Sequence, residues 1–339
     1  MAPTLSTETK VLFLSQPGAY PHAPDEVEVV ETHMSWVFLA GDRVYKMKKP
    51  VRYPFLDFRT LEARAYFVGE EIRLNRRLAP DVYIGPRTLT LEDDGSLALA
   101  GAGLVVDWLV EMKRLPRARM LDQAITAGTV SRDDVERVVK RLVAFYGDQV
   151  GTNVTPEGHV ARLRREQAET VRVLRDPAIA FDGERLSAAL DRFLAHLDAV
   201  APLLAERVRE GRVIEGHGDL RPDHVCLGEP LAIIDCLEFD RGLRQVDPFD
   251  EIAYLGMECA RHGAGWVFPL LRARVIAGMS EDPPATLLAF YWRNRALLRA
   301  RLALLHLTEP NPRQPEKWRP MAWRYVELAE EAEVRVRRT

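Results

Sequence analysis

The stretch Gly216-His217-Gly218-Asp219-Leu220-Arg221-Pro222-Asp223-His224-Val225, continued by Leu231-Ala232-Ile233-Ile234-Asp235, decides how the rest of the chain is read. It concentrates acid and imidazole in one short span. Val225-Cys226-Leu227, a Gly228-Glu229-Pro230 turn and Leu231 to Ile234 predict a tight β-hairpin. Asp219 then falls in the loop before the first strand and Asp235 at the end of the second. Each carboxylate stands beside an apolar run.

Around this stretch lie 339 residues, enough for a sizeable core and two lobes. A hydrophobic content of 47% and a charged content of 29% are ordinary for a globular protein. The net charge of −3, from 47 Lys+Arg against 50 Asp+Glu, offers no bulk attraction for nucleic acid or a membrane surface. No apolar run approaches the roughly 20 residues that span a bilayer. The opening Met-Ala-Pro-Thr has no basic region or signal-type apolar core. Cys226, Cys236 and Cys259 are odd in number and lack zinc-like spacing, so reduced thiols and a cytoplasmic location are expected.

Upstream, residues 1–25 are rich in Pro, Ser and Thr and predict an extended or helical lead-in with little regular structure. Glu26 to Leu39 predicts two strands with a bend at His33 to Ser35, and Arg43 to Lys49 a third. The two-residue period puts Lys46 and Lys48 on one face of that strand, with Tyr45 and Met47 on the other. Thr60 to Leu78 predicts a helix capped by Thr60. Phe67, Glu71, Leu74 and Leu78 share one face, so Glu71 interrupts an apolar stripe, while Glu70 lies beside Arg73 on a solvated face. Val82 to Leu91 and Leu97 to Leu109 predict two further strands, and Val110 to Pro116 a connector. From Leu121 onward the pattern is helical: Arg132 to Gln149, Gly158 to Arg175, Glu184 to Glu210, Asp247 to His262, Pro284 to Leu307 and Glu316 to Val336.

His217-Gly218-Asp219-Leu220, followed by a short gap and a strand ending in Asp235, resembles the catalytic loop and metal-binding strand of the aminoglycoside phosphotransferase-like kinases. The segments Glu31 to Leu39 and Val44 to Pro50 resemble one bacterial branch of that family. The resemblance runs from about Val27 to about Leu255. It implies an α+β, two-lobed protein-kinase-like fold with a small antiparallel-sheet N-lobe and a mainly helical C-lobe. The nucleotide-binding lobe would be residues 1–112. The C-lobe, with the catalytic loop and the metal-binding hairpin, would be residues 113–339. The implied activity is ATP- and Mg²⁺-dependent transfer of phosphate to a hydroxyl of a small molecule.

Phosphoryl transfer needs a cation for the phosphates, metal to offset charge and an acid to orient the acceptor. Periodicity alone reads Lys46, Lys48 and Lys49 as a solvated strand face. The resemblance makes Lys46 the phosphate lysine, with Lys48 as the alternative. Glu71 is its expected partner because a carboxylate in an apolar stripe needs a counter-charge, unless that face is half buried and Glu71 reaches water; Glu70 is the other choice. Asp219 would orient the acceptor hydroxyl and Asp235 would hold Mg²⁺, whose preferred ligands are hard oxygens. His217 would brace the loop. Asp247 and Asp250 read as cap and helix-dipole residues.

Two features depart from the family pattern. Its second metal ligand is an Asn five residues after the catalytic Asp; here that place holds His224, an imidazole, which is a poorer Mg²⁺ ligand. His224 is a candidate metal ligand, a phosphate contact or a brace. The turn expected to cover the nucleotide is His33-Met34-Ser35, without Gly, leaving Ser35 and nearby amides as candidate phosphate contacts. No Gly-x-x-x-x-Gly-Lys-Ser/Thr motif is present, which excludes the P-loop route to ATP. Adenine would be expected near Val110 to Met112. Trp266, Tyr291, Trp292, Trp318 and Trp323 are either acceptor-pocket or core residues. The same residues admit two other readings: a nucleotide-binding pseudokinase, and a phosphoesterase with His217, Asp219, His224 and Asp235 around metal.

Overall fold

The computed structural model describes residues 5–53, 56–181, 183–309 and 312–337. The expected lead-in begins outside them, at residues 1–4. The chain divides into two compact units: residues 1–120 with 225–241, and residues 121–224 with 242–339.

The first unit opens with a helix, α1 (Thr7–Leu14), capped by Ser6, so of the extended and helical alternatives for the lead-in this part is helical. What orders it is remote in sequence. Lys10 Nζ donates to Asp107 Oδ2 and to the Val106 carbonyl, each at 2.8 Å. Leu14, Ala19 and Tyr20 join the core of the sheet that follows. That sheet contains β1 (Val27–Glu31), β2 (Ser35–Ala40) and β3 (Arg43–Lys48). A two-residue pair, β4 (Arg52–Tyr53) and β5 (Leu56–Asp57), precedes helix α2 (Leu61–Asn75), capped by the Thr60 hydroxyl. Strands β6 (Tyr83–Leu91), β7 (Leu97–Leu99) and β8 (Leu104–Lys113) complete an antiparallel sheet in the order β1-β2-β3-β8-β6-β7.

Two sequence readings change here. The single strand expected over Leu97 to Leu109 is broken by Gly101 and Gly103. A Cβ at Gly103 would lie 2.1 Å from the Leu91 carbonyl oxygen, so only glycine passes this corner. Val110 to Met112, read as a connector that would receive adenine, are central strand residues instead. They pair with β3 on one side and with β6 on the other. The connector begins at Arg114.

The hairpin is present as Val225–Cys226 paired with Ala232–Ile233. The sequence reading put it with the helical lobe, whereas its contacts tie it to the sheet unit. Met120 bridges to Cys226, and the Leu227 amide donates to the Arg119 carbonyl at 2.8 Å. Cys226 and Ala232 pack with Val68, Ile72, Tyr83 and Val110.

The second unit is helical: α3 (Leu121–Thr126), α4 (Arg132–Gly147), α5 (Pro156–Leu174), α6 (Glu184–Arg209), α7 (Pro248–Arg261), α8 (Val267–Met279), α9 (Ala285–Leu305), α10 (Pro315–Glu330) and α11 (Ala332–Arg337). Capping sets the observed starts, at the predicted Arg132 for α4 and two residues before the predicted Gly158 for α5. Ser131 and Asp134 form a reciprocal capping box on α4, and Thr155 caps α5 ahead of Pro156. Helix α9 is buried almost all round; Trp292 and Tyr291 are core residues, with Trp292 Nε1 donating to the Leu328 carbonyl. Among the described residues no helix is long and apolar enough to cross a membrane. Cys226, Cys236 and Cys259 are buried free thiols.

Candidate active site

In the sheet unit, the alternation of β3 turns Lys46 and Lys48 to the face that α2 covers. Lys46 Nζ lies 2.9 Å from Glu71 Oε1 and 3.0 Å from Asp235 Oδ1. Lys48 Nζ lies 2.7 Å from Glu71 Oε2 and also bonds Glu238. Side-chain exposure is 1% for both Glu71 and Lys48, 17% for Lys46 and 46% for Asp235. The network therefore grades from a dry interior to one open carboxylate. Burial alone would discharge Lys46, but Asp235, Glu71 and Glu238 outweigh it and raise its pKa. Burial likewise pushes Glu71 up, and Lys46 and Lys48 more than reverse that. Both lysines and Glu71 are thus ionised. Glu70 is paired at 2.7 Å with Arg73 on the outer face, which leaves Glu71 as the lysine partner.

Asp235 is fixed by its backbone. Its amide donates to Tyr83 Oη at 3.2 Å, and the Cys236 amide donates to Asn75 Oδ1 at 2.8 Å. Asp235 has φ +63°, a left-handed conformation in which Asp is among the more tolerated non-glycine residues. Ser35 begins β2 and is buried. Its amide donates to Thr32 Oγ1 at 3.0 Å, so that amide is already used within the turn.

In the helical unit, the loop from His217 to His224 is carried by α7. One carboxylate oxygen, Glu251 Oε1, accepts the amides of His217 at 2.7 Å and Gly218 at 2.6 Å. Tyr254 donates its hydroxyl to Asp219 Oδ1 at 2.9 Å, and Arg221 Nε donates to Asp219 Oδ2 at 3.0 Å. Burial would raise the Asp219 carboxyl; Arg221 above all, with Arg299 and the Tyr254 hydrogen bond, holds it well below the usual carboxylate range. His217 is fully buried, and its Nδ1 accepts the Asp219 amide at 3.3 Å, the bracing role the sequence suggested. Asp247 caps α7 as expected, accepting the Phe249 amide at 2.9 Å. Asp250 does not act as a simple cap: Arg295 holds both its oxygens, at 2.8 and 2.7 Å. Glu251, Tyr254 and Arg295 were not singled out from the sequence. Their signal was the placement of Asp250, Glu251 and Tyr254 at i, i+1 and i+4 on one helix.

Both ring nitrogens of His224 are engaged, Nδ1 with the Asp219 carbonyl and Nε2 with Arg221, each at 2.9 Å. Those two contacts tie the imidazole to the loop it closes. For Mg²⁺, the exposed carboxylate of Asp235 is a suitable hard donor, and the part-buried Lys46 ammonium suits phosphate oxygens.

No family model matches the chain. It is 31% identical over 293 residues to uncharacterised proteins of Mycobacterium tuberculosis and Mycobacterium bovis, a match covering 84% of this chain and 56% of theirs. The chain thus spans little more than half the length of those relatives. A choline/ethanolamine kinase family protein from Mesorhizobium loti superposes with a TM-score of 0.57 at 15% identity, covering 98% of this chain and 99% of that one. A choline kinase from Cryptosporidium parvum gives 0.51 at 8% identity, covering 97% and 94%. A thermostable aminoglycoside phosphotransferase mutant gives 0.51 at 12% identity, covering 91% and 94%. The curled six-stranded antiparallel sheet, the helical second unit and these superpositions together show that the chain has a protein-kinase-like α+β fold.

Proposed function

We propose that the protein is a small-molecule kinase that transfers the γ-phosphate of ATP to a hydroxyl. The observation that carries this reading is the position of Lys46, 2.9 Å from the buried Glu71 and 3.0 Å from the open Asp235. A lysine shared by a buried helix acid and an exposed acid after a strand would suit phosphate and metal together, and a structural ion pair does not require the second, exposed acid. Bound Mg²⁺ would offset triphosphate charge; Asp235 is the residue that would hold it. Lys46, kept charged by Glu71, would bind phosphate oxygens. Asp219 would accept a hydrogen bond from the acceptor hydroxyl and orient it. The new bond joins the acceptor oxygen to the γ-phosphorus, the bond from that phosphorus to the β,γ-bridging oxygen breaks, and ADP leaves. The acceptor proton departs through Asp219. Its low proton affinity suits late proton transfer, since the transition state is loose and orientation matters more than basicity. The buried thiols support a reducing, cytoplasmic setting.

The test is ATP turnover with Mg²⁺ and pooled hydroxylated metabolites, wild type beside Asp219→Ala and Asp235→Ala. Stimulated turnover that falls by about 10²–10⁴ in Asp219→Ala supports the reading. One observation favours the second reading, a nucleotide-binding pseudokinase: Asp219 has both carboxylate oxygens occupied, by Tyr254 and Arg221. Nucleotide-induced thermal stabilisation without turnover above that of the variants would select it. The phosphoesterase reading is weakened because His224 has both ring nitrogens bonded and His217 Nδ1 accepts a backbone amide.

A further inference from the structure

The loop from Asp219 to His224 is closed around a cation of its own chain. The Arg221 guanidinium is engaged through all three nitrogens. Nε donates to Asp219 Oδ2 at 3.0 Å, Nη1 lies 3.1 Å from Asp223 Oδ2, and Nη2 donates to His224 Nε2 at 2.9 Å. The imidazole is fixed by the same geometry. Arg221 has only protons to offer, so Nε2 is the acceptor; Nδ1 then carries the ring proton and donates it to the Asp219 carbonyl at 2.9 Å. Neither ring nitrogen keeps a lone pair for a metal. An ion at Nε2 would have to displace a guanidinium and then sit beside its full positive charge. Asp219 Oδ1, the remaining oxygen of that carboxylate, is taken by Tyr254. These donors do not fit the second divalent ion that the resemblance implies for this position.

We infer that Arg221 supplies the positive charge of that second ion, so that the loop from Asp219 to His224 needs no divalent cation of its own. Asp219, Asp223 and His224 hold the guanidinium in place, and its side chain keeps 19% exposure toward solvent. An anionic phosphoryl group therefore meets a fixed cation without recruiting a metal. His224 is a positioning residue in this arrangement: it orients Arg221 and closes the loop on the Asp219 carbonyl.

The inference rests on the kinase reading, and the experiment separates the two. Mn²⁺ bound by the full chain with a non-hydrolysable ATP analogue is counted by electron paramagnetic resonance. Wild type, Asp235→Asn and an Arg221→Gln/His224→Asn double variant are compared. One ion in wild type, lost in Asp235→Asn, with a second gained in the double variant, is the expected result. Two ions in wild type overturn the inference whatever the variants do. No Mn²⁺–nucleotide bound by wild type removes the kinase reading, and this inference with it. Arg221→Gln alone lowers kcat by at least about 10²-fold while KM for nucleotide stays within about twofold, as for loss of a preorganised transition-state donor. A proportional rise in KM instead would make Arg221 a ground-state contact and overturn its role.

Discussion

Glu71 holds two lysines at once, Lys46 on Oε1 at 2.9 Å and Lys48 on Oε2 at 2.7 Å. Because Glu71 and Lys48 are each only 1% exposed, neither is stabilised by water. Removing one partner from a buried ionic network leaves the other uncompensated, which costs about 3–5 kcal/mol. Glu71→Gln is therefore expected to lower folding stability by about that amount, read as a shift in the urea midpoint by tryptophan fluorescence. Glu70→Gln, which removes only the outer-face pair with Arg73, should change it by about 0.5 kcal/mol or less. Equal losses in the two variants would mean that Glu71 is not the charge centre.

The catalytic-loop candidate depends on a residue far from it in sequence. Glu251 Oε1 takes the amides of His217 and Gly218, and the same oxygen lies 2.8 Å from where a Cβ on Gly216 would be. Glu251→Ala orphans two buried amides, at about 1–3 kcal/mol each. Glu251→Gln keeps one acceptor oxygen and should lose less than half as much. In turnover, Glu251→Ala is expected to lower kcat more than it changes KM, since it misplaces Asp219 without touching Lys46. A Glu251→Ala protein as stable as wild type would show that the loop holds itself.

How much of this was legible in the sequence depends on the range of the interaction. The alternation of β3 is local, so Lys46 and Lys48 could be placed on one face. The stripe of α2 is local too, so Glu71 could be marked as a buried acid needing a cation. The hairpin, with Asp219 before it and Asp235 after it, followed from a turn and two apolar runs. What was not legible is set by residues far apart: Lys10 on Asp107, Glu238 on Lys48, and Glu251 and Tyr254 beneath the loop. Helix α8 went unread because Val267–Met279 is apolar on most sides and lacks a side-chain cap, so no periodicity marks it. Strand β8 was cut short in the reading because its last residues, Val110 to Lys113, look like the start of a charged connector. Pairing on both sides makes them central strand.

The acid response of the fold should come from histidine before it comes from Asp219. Burial, reinforced by Arg162, pushes His159 down to about 3. A group with its folded value below its unfolded value near 6.5 binds protons only when unfolded across that interval. Its contribution is complete above about pH 6.5 and is lost as pH falls toward 3, about 2 kcal/mol by pH 5. His196 and His262 are also lowered, mainly by burial, and add in the same direction. Asp219, held below the usual range, keeps its contribution until pH falls below about 4. The urea midpoint of wild type is thus expected to fall between pH 6.5 and 5, less steeply in His159→Gln. A wild-type midpoint that is flat over that interval would refute the assignment.

Asp235 combines a left-handed backbone, φ +63°, with a carboxylate that is 46% exposed. Holding a residue with a Cβ in that region costs about 1–3 kcal/mol, least for Asp and Asn and most for β-branched residues. Its half-exposed ion pair with Lys46 returns about 0–1 kcal/mol. The acid therefore does little for the fold, and its charge is expected to matter for metal. Asp235→Asn should leave thermal stability nearly unchanged, Asp235→Gly should match or exceed wild type, and Asp235→Val should lose about 1–3 kcal/mol. All three should lack Mg²⁺-dependent turnover, read beside thermal unfolding of the same preparations. If Asp235→Asn proves as unstable as Asp235→Val, the carboxylate is a structural anchor for Lys46 and its role as the metal ligand fails.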